Sequence, residues 1–367
     1  MNNIWENENA ESAPHSAAIA FPFSHRLIAA HRLITISTFR YHFVLAALLA
    51  ISFLGINRAQ AEWHYREHEI FGTQVSIRLW TEETHLAELA HQAAAEEMWR
   101  IHNAFSPYLQ NSELSQLNQQ GYPGPFAVST ELAMLIDKSL FYSRASNGAF
   151  DVSFASLGKL YDYRKGKQPS QEQFEALSDA VDYRLIKLNN TPEGDSVQLL
   201  HEAMHIDLGG IAKGYAVERV AALLRELNIQ HASLSAGGDS RMLGDKRGQP
   251  WIVGIRNPRG DGSALRIPLD NTAISTSGDY ERFFIDTTSG ERIHHILNPQ
   301  TGKSASDVLS VSVIGPSSTD TDALSTSLFV LGVSAGLKLI EEFKGFDAIV
   351  IDNKGKVHFS SGLVSPE

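Results

Sequence analysis

The sequence has no cysteine in 367 residues. That excludes a disulfide framework, a cysteine-ligated zinc or iron–sulfur centre, a thiol nucleophile and a lipid-modified cysteine. Basic residues are in the minority: 31 Lys+Arg stand against 42 Asp+Glu, a formal charge of −11. A general nucleic-acid binder needs a basic field along the phosphates, so no nucleic-acid partner is expected. No G-x-G-x-x-G follows a strand-like stretch, so a Rossmann nucleotide site has no support. No Pro/Ser/Gly linker divides residues 62–367, and no internal repeat is visible. What is present, 43% hydrophobic and 20% charged residues, fits a folded chain with ample core.

An apolar run, Phe43–Ile56, is 14 residues long and broken only by Ser52. Crossing a bilayer core takes roughly 20 residues. The run follows Arg26, Arg32 and Arg40 and precedes Ala59-Gln60-Ala61, a small-x-small cleavage pattern. Residues 1–61 therefore read as a leader with a secretory signal, cleaved after Ala61. An uncleaved signal anchor is the alternative. Residues 62–367 read as one exported domain.

Helical periodicity is clear at about 84–102, where Leu86, Leu89, Ala90, Ala93 and Ala94 share a face. A second helix is expected over 130–145, opened by Ser129 or Thr130 and closed by Asn147-Gly148. A third spans about 211–227; two more begin near Asp320 and near Ala335. Short β-type runs lie at 73–80, 183–188, 232–236, 251–256, 273–277, 308–315 and 347–351. The strands cluster and do not alternate strictly with helices, which favours an α+β fold.

Some local matches mislead. His64-Tyr-Arg-Glu67-His68 fits a zinc-protease pattern but sits near the presumed chain end, where mobility is usual. Thr301-Gly302-Lys303-Ser304 resembles the end of a P-loop, yet Leu297 occupies the place of its first glycine. Gly332-Val-Ser334-Ala-Gly336 fits a nucleophile elbow, with Asp347 and His358 following in hydrolase order. Too little chain remains for such a sheet, and a helix stop at Gly332 with a cap at Ser334 explains the motif.

Other segments pack glycine, hydroxyl and a lone charge together. In Asp207-Leu-Gly209-Gly210-Ile-Ala-Lys213-Gly214-Tyr215, a β-like stretch meets two glycines and then a helix. Glycines let backbone amides approach a ligand, and a helix start favours anions. Lys213 sits in the first turn, where the dipole disfavours a cation unless a phosphate intervenes. A snorkelling surface lysine, and Asp207 as a helix cap, are the plain alternatives. Asp322 and Thr326 are four apart, so a helix stacks a carboxylate over a hydroxyl, two hard oxygens that suit Mg²⁺. A Thr319/Asp322 capping-box variant would explain them equally. His294-His295 point to opposite faces if on a strand, so one can be catalytic while the other packs. Asn298-Pro-Gln-Thr-Gly302 reads as a tight turn. Ser275–Tyr280 and Ser235–Asp239 look like strand ends opening into glycine turns.

Taken in order, these segments resemble the ApbE family of FAD:protein FMN transferases, over most of residues 62–367. Phe105-Ser-Pro-Tyr108 with Asn111-Ser-Glu113 through Asn118 is similar to the family's early motif. Gly148-Ala149-Phe150-Asp151, the Asp207–Tyr215 run, Ala236–Asp239, Ser275–Gly278, His295–Gly302 and Asp322-Ala-Leu-Ser-Thr326 follow. Phe71-Gly72-Thr73 stands where the family often has Met-Gly-Thr, and Asn298 where it often has Asp. The resemblance implies a T-fold-like α+β domain that binds FAD with Mg²⁺ in the bacterial periplasm. It implies that Tyr108 lines the isoalloxazine site, and that Ala149, Phe150, Asp151, Asp207, Lys213 and the backbone near Ile296 contact the cofactor. It places Mg²⁺ on Asp322, Thr326 and the carbonyl of Gly210, and makes His295 the base, with Lys213 and Asp322 completing the catalytic set. The implied reaction passes FMN from FAD to a Thr or Ser hydroxyl of an acceptor flavoprotein subunit, of a membrane or periplasmic redox system, and releases AMP. An FAD pyrophosphatase and a non-catalytic flavin carrier are the rival readings.

Overall fold

The computed structural model describes residues 62–364; the leader read over residues 1–61 lies outside the described residues. Glu62–Ile70 (β1) pairs along its whole length with Thr73–Thr81 (β2). The turn, Phe71-Gly72, has φ of 58° and 69°. Positive φ at both centres gives a turn whose twist matches its strands. This corrects the expectation of a mobile segment at 64–68. A strand sets His64 and His68 about 13 Å apart, so the pair cannot close on one zinc.

Six strands continue the sheet: Ala232–Ala236 (β3), Asp239–Leu243 (β4), Ala273–Gly278 (β5), Val308–Gly315 (β6), Asp347–Asp352 (β7) and Val357–Phe359 (β8). All eight lie in chain order, each antiparallel to the next. Side chains alternate between two faces. On one face Val75, Ile77, Leu79, Leu234, Val311, Val313 and Val350 meet the helices. On the other, Met242, Ile274, Leu309, Ile349 and Ile351 are covered by a hairpin of Trp251–Arg256 and Ser263–Leu269. The architecture is α+β, with antiparallel sheets and packed helices.

Three helices frame the site: Thr84–Phe105 (α1), Ala212–Glu226 (α2) and Ser318–Ile340 (α3). The buried face of α1 is Ala87, Ala90, His91, Ala94, Met98 and Ile101, and Leu89 is 46% exposed. The apolar stripe is thus rotated from the one its leucines mark, because alanines let the helix lie close to the sheet. Helix Thr130–Ala145 is capped by Ser129, which accepts from Leu132 N, and its exit uses positive φ at Asn147 and Gly148. Helix α3 is interrupted at Gly332 (φ 75°), as the stop at that glycine implied.

His91 is 4% exposed, and neither ring nitrogen has a partner. Desolvation, and next the charge of Arg66, lower its pKa from 6.5 to about 4. The unfolded chain therefore takes the proton more readily, and stability present above pH 6.5 is lost as pH falls toward 4. Between pH 7 and pH 5 the wild type should lose about 2 kcal/mol more than His91→Leu in urea unfolding. Parallel pH profiles for the two proteins would refute this.

Candidate functional site

The site forms where α2 and α3 begin. At Gly214 the two backbones nearly touch: a Cβ there would lie 2.1 Å from Ser318 O and 2.6 Å from Asp322 Cβ. This approach lets Gly214 N donate to Asp322 Oδ2 at 2.9 Å. Ser318 Oγ donates to Gly214 O at 2.8 Å. Lys213, the preceding residue, directs its ammonium to Asp239 at 2.9 Å, Gly209 O at 3.0 Å and Asp322 at 3.5 Å. Asp239 opens β4 after the Gly237-Gly238 turn, where a Cβ on Gly238 would sit 2.4 Å from Thr276 O.

Asp239 and Asp322 are 2% and 3% exposed. Two buried carboxylates share one ammonium, so one negative charge is unmatched. Desolvation, then the charge of Asp239, pushes the Asp322 pKa above the ordinary carboxylate range. Desolvation opposes the charge of Lys213, but Asp239 and Asp322 outweigh it and hold its pKa above the usual lysine value. Thr326 stands one turn beyond Asp322, its Oγ1 3.4 Å from Ser277 Oγ and 3.4 Å from the place of a Cβ on Gly210. Asp322, Thr326 and Gly210 are thus brought to one place. Among the described residues no three His, Asp or Glu side chains converge to hold an ion by themselves. A hard ion with few protein ligands fits this donor set, and the unmatched negative charge gives it a reason to bind. Asp322 and Thr319 form no capping box; Ser317 accepts from Asp320 N instead.

The strand Arg292–His294 ends before His295, which lies in the following bend, so the two histidines do not alternate along one strand. His294, 3% exposed, donates from Nε2 to Ala305 O at 2.7 Å and accepts Ile296 N on Nδ1 at 3.3 Å. His295 donates its backbone N–H to Arg282 O at 3.1 Å, and its Nδ1 is buried without a partner. Desolvation, then Arg282, lower its pKa to about 3. That departs from the value near 6.5 of a free imidazole, because burial penalises the charged ring.

Tyr108 is 83% exposed, with the charges of Asp207 and Arg282 acting on it. Asp207 accepts Gly209 N at 2.7 Å and so shapes the glycine turn; α2 starts at Ile211 with no side-chain cap. Desolvation raises its pKa. Ala149 and Phe150 are buried, and Phe150 packs beneath Gly210. The Asp151 carboxylate accepts from Ser153 N, Ser153 Oγ and Tyr183 N at 2.8, 2.6 and 2.8 Å. The Ile296 backbone is likewise engaged, its O accepting Ala305 N at 3.1 Å. Asp239, Gly214, Ser277 and Arg282 were not singled out one by one. Gly214, Ser277 and Asp239 lay inside segments that the sequence marked, whereas Arg282 carried no signal. Ser334 lies beyond the Gly332 break, whereas His358 pairs with Asp352 at 2.8 Å, so no hydrolase triad forms. Thr301–Ser304 closes the expected tight turn, with Gly302 N donating to Asn298 O at 2.8 Å.

The ApbE family model matches residues 71–350. The FAD:protein FMN transferase of Treponema pallidum (strain Nichols) is 33% identical over 328 residues, 84% of this chain and 89% of the relative. That of Escherichia coli (strain K12) is 28% identical, covering 68% and 73%. Among solved structures, the ApbE protein of Thermotoga maritima matches with a TM-score of 0.75 at 31% identity, over 82% of this chain and 98% of that one. The flavin transferase ApbE of Vibrio cholerae matches with a TM-score of 0.72 at 26% identity, over the same shares.

Gly214→Ala should lower unfolding stability by about 3 kcal/mol, since its Cβ meets backbone. Gly209→Ala meets chiefly the Asp207 side chain, at 3.1 Å, and should cost far less. Equal losses in denaturant titrations would refute the close crossing.

Proposed function

This chain belongs to the ApbE family and, as a transferase, moves FMN from FAD to a protein; we propose that the accepting atom is a Thr or Ser hydroxyl and that Mg²⁺ assists. The observation that carries the metal is the Asp239–Lys213–Asp322 cluster, with one buried negative charge unmatched beside Thr326 and Gly210. Asp322, Thr326 and the Gly210 carbonyl would hold the ion. Bound there, it would neutralise charge on the FAD pyrophosphate.

The chain's own groups supply the rest. Lys213 keeps its charge between Asp239 and Asp322, and with a divalent ion in place the cluster would be net positive where phosphate oxygens gain charge. The starts of α2 and α3 add donors of the same sign. Tyr108 offers an exposed ring face to the isoalloxazine. The free Nδ1 of His295 can take a proton. An anionic diphosphate nearby opposes the desolvation that depresses this ring, which strengthens it as a base when FAD is bound. The acceptor hydroxyl oxygen bonds to the phosphorus on the FMN side, its proton passes to His295, and the bond to the AMP phosphate breaks. AMP leaves. An exported, periplasmic setting is part of the proposal and rests on the apolar run and Ala59-Gln60-Ala61 alone.

With FAD, Mg²⁺ and a protein acceptor, mass spectrometry should show FMN added to the acceptor and AMP released. EDTA or Asp322→Ala should abolish both. His295→Ala should bind FAD yet transfer at least about 10²-fold more slowly. Free FMN with no labelled acceptor would replace this reading with a pyrophosphatase. Full transfer in EDTA would remove the metal from it.

A further inference from the structure

Helix α2 carries an acidic residue whose hydrogen bonds all go to α3, while Arg225 and Arg241 stand 3.7 Å from its oxygens. Glu218 follows Gly214 by four residues, so the two share a face. Its Oε2 accepts Ser318 N at 2.9 Å and lies 3.0 Å from Ser318 Oγ, whose one proton it shares with Gly214 O. Ser318 is the first residue of α3, and the first N–H groups of a helix have no partner within it. A carboxylate there also meets the positive end of the helix dipole. Behind Glu218 stands Arg241 on β4, 4% exposed, with Nε 3.7 Å from the carboxylate. The sheet thus backs the clamp.

The spacing along α3 gives this clamp a consequence. Ser318, Asp322 and Thr326 recur every four residues, so they lie in one stripe facing α2. A turn or slide of the helix start moves all three together. The cap of Ser317 on Asp320 N is long, at 3.4 Å, so the Glu218 bond is the closer hold on the backbone of this turn.

We propose that Glu218 is a positioning residue. Its carboxylate fixes the rotation of the first turn of α3, so that Asp322 and Thr326 present their oxygens together to a divalent ion. This rests on the metal reading above. Glu218 touches neither ion nor substrate, and a role in general stability predicts a different result.

The test uses Mn²⁺ as probe, read by electron paramagnetic resonance on the whole protein, with and without FAD. Glu218→Ala should weaken Mn²⁺ binding about tenfold or more, the usual effect of losing a group that orients metal ligands. Glu218→Gln keeps an acceptor oxygen for Ser318 and should restore most of the affinity. Leu224→Ala, a core truncation on the same helix at 0% exposure, should lower the melting temperature yet leave the Mn²⁺ affinity in place. Unchanged binding in Glu218→Ala overturns the positioning role alone. So does an equal loss in Leu224→Ala. A wild type that binds no Mn²⁺ in either condition, or binds it equally well as Asp322→Ala, overturns the metal reading and this one with it.

Discussion

The site depends on the contact between two helix starts at Gly214. With any side chain there, α2 and α3 would have to part. Parted, Gly214 N could not reach Asp322, and Ser318 Oγ could not reach Gly214 O. Lys213 would then lose its place between Asp239 and Asp322. The sheet supports the same contact from below. Ser275 bonds Thr321 and Ser277 bonds Ser325, each at 2.8 Å, so β5 holds the inner face of α3 through hydroxyls. A polar seam of this kind fixes register more sharply than apolar packing, since each hydroxyl left unpaired in the interior costs about 1–3 kcal/mol.

Electrostatically the arrangement is costly on its own. Burying two carboxylates with one ammonium leaves charge that water would have solvated. The start of α2 offsets part of this, because Gly214 N donates to Asp322. The whole chain is acidic, at −11, yet its substrate FAD is an anion. Attraction must therefore be local. Lys213 is outnumbered by Asp239 and Asp322, so Arg282, which acts on Tyr108, Asp207 and His295, and the start of α2 supply it at one place. A field confined to the site draws an anion there without making the rest of the surface adhesive to phosphates.

What the sequence disclosed was mostly local. Helix 130–145 announced itself through Ser129 and Asn147-Gly148, because caps and left-handed exits are coded within a few residues. Strands 232–236, 251–256 and 308–315 stood out as short apolar runs between turns. Pairing was not legible: that all eight strands of the main sheet lie in chain order depends on contacts across long insertions. β1 was missed because its polar residues, in an edge strand, read as a chain end. The stripe on α1 was misplaced because large residues attract the eye, whereas alanines mark the closest packing. In the site, the spacing of Asp322 and Thr326 was visible at once. The role of Asp239 was not, since only the fold brings it to Lys213. Nor does a motif report desolvation, so the low pKa of His295 and the occupied carboxylate of Asp151 needed the structure.

The two adjacent histidines show how a fold divides work between identical side chains. His294 meets Ala305 O through Nε2 and Ile296 N through Nδ1, which fixes it as the neutral tautomer with its proton on Nε2. Its ring also packs edge-on against Phe329 of α3, with centroids 5.5 Å apart. Both nitrogens are thereby taken, so this ring has no capacity left for a substrate proton. The strand ends at His294, and its neighbour lies in the bend that follows. His295 is anchored only through its backbone, to Arg282 O, and its ring keeps a free nitrogen in a buried setting. An unpaired buried nitrogen is a standing cost that an apolar replacement would avoid. The saturated histidine is what leaves the other one free: it ties the strand to α3, the helix that carries Asp322 and Thr326, and so sets His295 and those two oxygens on one frame.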